Sequence, residues 1–201
     1  GDSYTGGESF FSENGIKRYA SIPIVGDYPP VTKNLDKAPD SYSDSIIEFL
    51  MLCALMSGHI EGTEKVNDRG SMLVHPTFFV NETRNSNIGI KRFVDWCVNI
   101  LESIEADFSD YDLFRAPYEK LKHEMTHDKL FSSFPTLKDV LEVIEQEIID
   151  EITVSQVTGG MLDKEEGYPW EETDYHILIG GALLDRGFTV EDLVVTYMPR
   201  D

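Results

Sequence analysis

The sequence predicts an α/β domain, a parallel sheet with helices on both faces, and two observations carry that expectation. Short continuous apolar runs at 71–76, 152–157, 176–179 and 193–198 have the length and composition of strands covered on both sides. The long segments between the first two runs repeat apolar residues at helical spacing. Strands separated by helical crossovers are the pattern of a parallel sheet, because parallel neighbours cannot be joined by a hairpin.

Taken in order, residues 1–40 are rich in Gly, Pro and Ser and hold one predicted strand at 19–25. A Ser/Asp-rich cap from Asp40 leads into 46–56, apolar on all sides and stopped by Gly58, as in a fully buried helix. After the strand at 71–76, Ile90, Phe93, Val94, Cys97, Ile100, Leu101 and Ile104 mark an amphipathic helix. Pro117 is expected to start the next helix, with Leu121 and Met125 on its apolar side. Thr136 caps another, whose inner face is Val140, Leu141, Ile144 and Ile148. The helices from about 84 to 150 exceed what one crossover needs, so the whole chain, 1–201, reads as one domain carrying a helical insertion.

Composition narrows the function. The 201 residues and 41% apolar content suffice for one core. The longest apolar stretch, 49–56, is too short to span a bilayer, and Gly1-Asp2-Ser3 is neither a signal-peptide start nor an initiator methionine. A longer gene product without membrane association is expected. Cys53 and Cys97 fall in apolar helical patterns, as small buried hydrophobes do, which suits a reducing, cytoplasmic setting. A net charge of −20, from 37 acidic and 17 basic residues, opposes nucleic-acid binding unless the acid is segregated. It concentrates at 102–112, 139–151 and 163–174, which read as solvated faces and loops.

Two motifs compete for attention. His123-Glu124-Met125-Thr126-His127 has the spacing that sets two imidazoles on one helix face around zinc, with Glu124 to activate water. Asp128, Lys129 and Leu130 follow where zinc hydrolases carry other residues, so an exposed polar helix face is favoured and the zinc hydrolase is an alternative. Ile148-Ile149-Asp150-Glu151 mimics a magnesium-holding strand end, but Glu142, Glu145 and Glu147 upstream make it the end of an amphipathic helix. No G-x-x-x-x-G-K-[ST] loop and no Asp/Glu-x-Lys nuclease pair occurs in the chain.

The C-terminal stretch is more specific. Gly180 and Gly181 close one apolar run, and a polar loop with Arg186, Gly187 and Thr189 precedes the next. Missing side chains allow a ligand or backbone close approach, and arginine and threonine supply phosphate-type hydrogen bonds. Ile179, Gly180, Gly181, Leu184, Arg186, Gly187, Thr189, Glu191, Leu193, Tyr197 and Arg200 together resemble the fifth helicase motif. Their version is most similar to that of the helicase-linked Z-one domain family, described as endonuclease-like. Pro39-Asp40-Ser41 and Ser71-Met72-Leu73-Val74-His75 resemble earlier blocks of that family in the same order, and Tyr4-Thr5-Gly6-Gly7-Glu8 is a weaker echo. The chain departs from the pattern at Ala182, Asp185 and Asp192, where the family has Asn, Ser and Gly.

The resemblance implies a RecA-like second motor lobe of a superfamily-two helicase-like, ATP-dependent DNA-processing protein in a bacterial or phage-related defence system. It implies that Gly180, Gly181 and Gly187 give backbone approach, that Arg186 and Thr189 contact phosphate or sugar, and that His75 ends the neighbouring strand. ATP and magnesium are then expected only in the full-length protein, with a first motor lobe and nucleic acid, DNA above RNA, as partners. No catalytic or metal residue is expected in this segment. A non-catalytic α/β interaction module with an acidic face is the other alternative. One geometric consequence is testable: His75 and Gly180-Gly181 must share a carboxyl edge, with Arg186 and Gly187 on its rim and the acidic stretches at 102–112 and 139–151 elsewhere.

Overall fold

In the computed structural model the described residues are 37–75, 83–125, 133–157, 168–180 and 189–198, with side chains described from 90 onward in the segment that starts at 83. The chain forms α1 (Asp40–Ser57), β1 (Gly70–Val74), α2 (Thr83–Ala106), α3 (Tyr111–Met125) and α4 (Leu137–Val143). A π-helical turn (Ile144–Ile148) and a 3-10 turn (Ile149–Glu151) extend α4 directly into β2 (Ile152–Val157), followed by β3 (Tyr175–Gly180) and β4 (Leu193–Tyr197). The four strands lie in the order β2-β3-β1-β4 and every neighbouring pair is parallel. The fold class is therefore α/β, a parallel sheet flanked by helices. The expected strand at 19–25 lies outside the described residues.

The core explains the helices. Ile46 through Leu55 are each at most 3% exposed, Glu48 included, so α1 is buried on all sides. Gly58 ends it at φ 77°, a left-handed conformation that glycine adopts without steric cost. Thr136 and Asp139 form a reciprocal capping box at the start of α4, and the inward set Val140, Leu141, Ile144 and Ile148 is buried. Pro117 does not start a helix: α3 begins six residues earlier, and Pro117 sits inside it. The proline removes one backbone donor, but Phe114, Pro117, Tyr118, Leu121 and Met125 all become buried by continuing the helix. Cys53 and Cys97 are free and buried, and burial pushes the Cys97 thiol up to about 12.

Residues of alternate parity separate the two faces of the sheet. Tyr175, Ile177, Ile179, Met72, Val74, Val195 and Tyr197 share one apolar cluster with buried residues from all four helices. Val157, Leu178 and Leu73 join a second, smaller cluster with Tyr168, Trp170 and Val190. Helices on both faces were expected, yet among the described residues the helices all join the first cluster. Handedness explains the division. The β1-to-β2 crossover moves in one direction across the sheet, while the connections into β3 and β4 move the other way, so right-handed crossovers put these on the opposite face. Tyr168, Trp170 and Val190 belong to those later connections.

Candidate functional site

The strand order creates a crevice at a definite place. The described part of the connection between β1 and β2 packs on one face, and Val190, in the described part of the connection between β3 and β4, packs on the other. With β1 and β3 as neighbours in the sheet, their shared carboxyl end is the place where open α/β sheets of this order bind ligands. Register sets His75 and Gly180 side by side there: Val74 pairs with Ile179, and Gly180 pairs with Val157 on the far side. The His75 N–H donates to the Tyr197 carbonyl at 2.9 Å, tying the end of β1 to the end of β4. The His75 ring is 2% exposed, so it lies beneath the rim.

The amino terminus of α1 reaches the same edge. Ser41 Oγ and the Tyr197 hydroxyl are 3.1 Å apart, and the Tyr42 hydroxyl donates to the Phe93 carbonyl at 3.1 Å. Tyr42 packs against both Phe93 and Tyr197, with ring centroids 4.9 and 5.1 Å away. Burial raises the Tyr42 phenol far above its ordinary value, so it stays neutral. The positive end of a helix dipole and a hydroxyl thus stand near the carboxyl edge.

Gly181, Arg186 and Gly187 lie outside the described residues, as do Ala182 and Asp185. Thr189 is described, and the structure does not bring it to Gly180. It is exposed and precedes the turn at Glu191 and Asp192, whose carbonyl accepts the Ser71 N–H at the amino end of β4. Of the residues expected to contact phosphate or to give backbone approach, the described ones, Gly180 and Thr189, stand toward opposite ends of the sheet. His123 and Glu124 are exposed on the last turn of α3, and His127 lies outside the described residues. Asp150 and Glu151 precede β2 at its amino end, away from any carboxyl-edge ligand.

The acidic stretches divide. Residues 144–151 lead into the amino end of β2, and Glu147 lies 3.7 Å from His59, just beyond α1. In the 102–112 stretch, Asp112 pairs with Arg115 at 3.3 Å. Farther along α3, Lys120 meets Glu48 of α1, and Ala116 and Pro117 line one cleft together with Ser41 and Ser45.

Three features escaped the sequence reading. Asp192 has φ 49°, the left-handed region, which accounts for a family glycine at this position; here its carboxylate accepts from Asn67 Nδ2 at 2.8 Å. His176, 4% exposed, sits between Tyr168 and Trp170. Its Nε2 faces the Trp170 carbonyl at 3.3 Å, which can only accept, so Nε2 carries a proton, while Nδ1 meets the Tyr168 hydroxyl at 3.3 Å. Glu48 is the one carboxylate within the apolar stretch 46–56 of α1, 3% exposed, with Lys120 Nζ at 2.6 Å. A single charge inside an apolar run was the available signal.

A family model for the Z1 domain matches residues 41–201, well over half of the chain. The chain belongs to the Z1 domain family. No curated protein and no solved structure matches it.

Proposed function

We propose that this chain is the second motor lobe of a helicase-like, ATP-dependent DNA-processing protein. The carrying observation is the crevice between β1 and β3, where His75 and Gly180 end parallel neighbouring strands and the glycine-arginine segment begins. Gly180 and Gly181 allow a phosphate backbone to approach, and Arg186 supplies the bidentate cation. In such a motor the nucleotide and magnesium are held mainly by another lobe, consistent with a chain that has no phosphate-cradling loop of its own. Closure of this lobe over the nucleotide couples hydrolysis to its grip on the strand. Membership in the Z1 family supports the reading.

The test is Arg186→Ala in the full-length gene product. DNA-stimulated ATP turnover is expected to fall roughly a hundredfold, the scale for losing one transition-state donor, with an unchanged melting temperature. Unchanged turnover would remove the motor reading. The chain alone is expected to hydrolyse no ATP.

A further inference from the structure

Helix α2 carries its charge the wrong way round for its own stability. Residues 83–94 hold Arg84, Lys91 and Arg92 and no acid, while residues 95–106 hold Asp95, Glu102 and Glu105 and no base. The helix dipole favours the reverse, acid in the first turn and base in the last, so Arg84 and Glu105 both oppose it. A run of bases without acid also stands out in a chain of net charge −20. The turn that holds Lys91, Arg92 and Phe93 lies at the carboxyl end of the sheet. The Phe93 carbonyl accepts from the Tyr42 hydroxyl, and the Phe93 ring is 6.4 Å from that of Tyr197, the last residue of β4. The Tyr197 carbonyl accepts in turn from the His75 N–H at the end of β1, so this turn of α2 adjoins the crevice.

The side chains there form a platform. Arg92 and Trp96 are one turn apart on the same helix face, with the guanidinium 6.0 Å from the centre of the indole. Phe93 holds the indole in a T-shaped contact, ring centroids 5.1 Å apart, and both Arg92 and Trp96 are only partly buried. Lys91 meets Asp95 at 3.1 Å in an exposed pair, a kind that contributes little and that a phosphate can displace. A fixed indole, a planar guanidinium and an exposed ammonium are the groups that bind single strands, bases on the flat faces and phosphates on the cations. We infer, resting on the motor-lobe reading, that this turn of α2 continues the crevice and holds one nucleotide of a single DNA strand. Its base stacks on the Arg92 and Trp96 platform, and Lys91 meets the adjoining phosphate. The aromatic ring selects this occupant, since an acidic protein segment would use the cations and leave the indole face unused.

The experiment titrates three probes into isotopically labelled protein: oligothymidylate, an abasic oligomer with the same number of phosphates, and oligoglutamate of the same charge. Oligothymidylate is expected to move the Lys91 and Arg92 amides and the Trp96 indole N–H saturably, and the other two probes to bind about tenfold more weakly, the scale of one stacked base. Trp96→Leu is expected to erase the difference between oligothymidylate and the abasic oligomer, and Arg92→Gln to weaken oligothymidylate about tenfold. Equal binding of the three probes by the parent would overturn the inference, as would an undiminished preference for bases in Trp96→Leu or full binding by Arg92→Gln with the parent spectrum elsewhere. Movement at His75 and Gly180 with α2 unmoved would overturn it and leave the motor-lobe reading standing. Unchanged ATP turnover in Arg186→Ala would instead remove that reading, whatever the probes do at α2.

Discussion

The two ends of the sheet are built from different chemistry. At the amino end, Arg69 reaches Glu171 at 2.8 Å and Asp174 at 3.4 Å, Lys65 pairs with Asp68 at 2.6 Å, and Asn67 holds Asp192. Nearby, Glu61, Asp139 and Glu142 line an acidic cleft of about 410 Å³. At the carboxyl end, the centre between β1 and β3 offers backbone, a buried histidine and glycine, while Asp40 stands to one side on the first turn of α1. A large negative net charge is therefore compatible with a phosphate-facing edge. What matters is where the charge lies, and here it ties connections together at one end and frames a cleft beside β4 at the other.

If the amino end is scaffold, its packing must be sensitive and its surface pairs tolerant. The largest effect is expected from Gly70→Val: an added Cβ would meet Cys53 Sγ at 2.7 Å and Val194 at 3.3 Å, costing roughly 1–3 kcal/mol by denaturant unfolding. Tyr168→Phe removes the hydroxyl partner of His176 on the second face and is expected to cost about 1 kcal/mol. Asp192→Ala is expected to cost about 1 kcal/mol, because alanine disfavours the left-handed conformation that Asp192 adopts. Asp192→Gly should be close to neutral, and equal losses for the two would remove the conformational explanation.

The smallest effect concerns Glu171, whose carboxyl the Arg69 guanidinium holds below its ordinary value. A lowered folded-state pKa contributes stability above the unfolded value of about 4.3 and loses it as pH falls through the folded value. Glu171→Gln should therefore lower the melting temperature slightly at neutral pH, and the difference should shrink as pH falls through the folded value. A difference that persists in acid would mean that packing, and not the ion pair, is at work.

Much of this architecture was legible because burial writes itself as periodicity. The strand at Ile152–Val157 and the cap at Thr136 follow from local pattern alone. The start of α3 was not legible, since the proline signal is local and the gain from burying Phe114 and Tyr118 is tertiary. Strand order was likewise invisible, although the parallel pairing that sets His75 beside Gly180 followed from two apolar runs and the need for crossovers. That Thr189 stands toward the amino end while Gly180 stands at the carboxyl end follows from the parallel sheet itself, because a residue just before β4 enters at the end opposite to where β3 leaves. Glu48 went unread because its meaning depends on Lys120, 72 residues away.

The central claim, that the crevice between β1 and β3 is the phosphate-facing edge, is tested most directly by mapping amide shifts as short single-stranded DNA is titrated into the chain. The account predicts saturable movement at Val74, His75, Ile179 and Gly180, with His59, Arg69 and Asp192 at the opposite end unmoved. Movement centred on the amino end, or no saturable movement at the ends of β1 and β3, would contradict it.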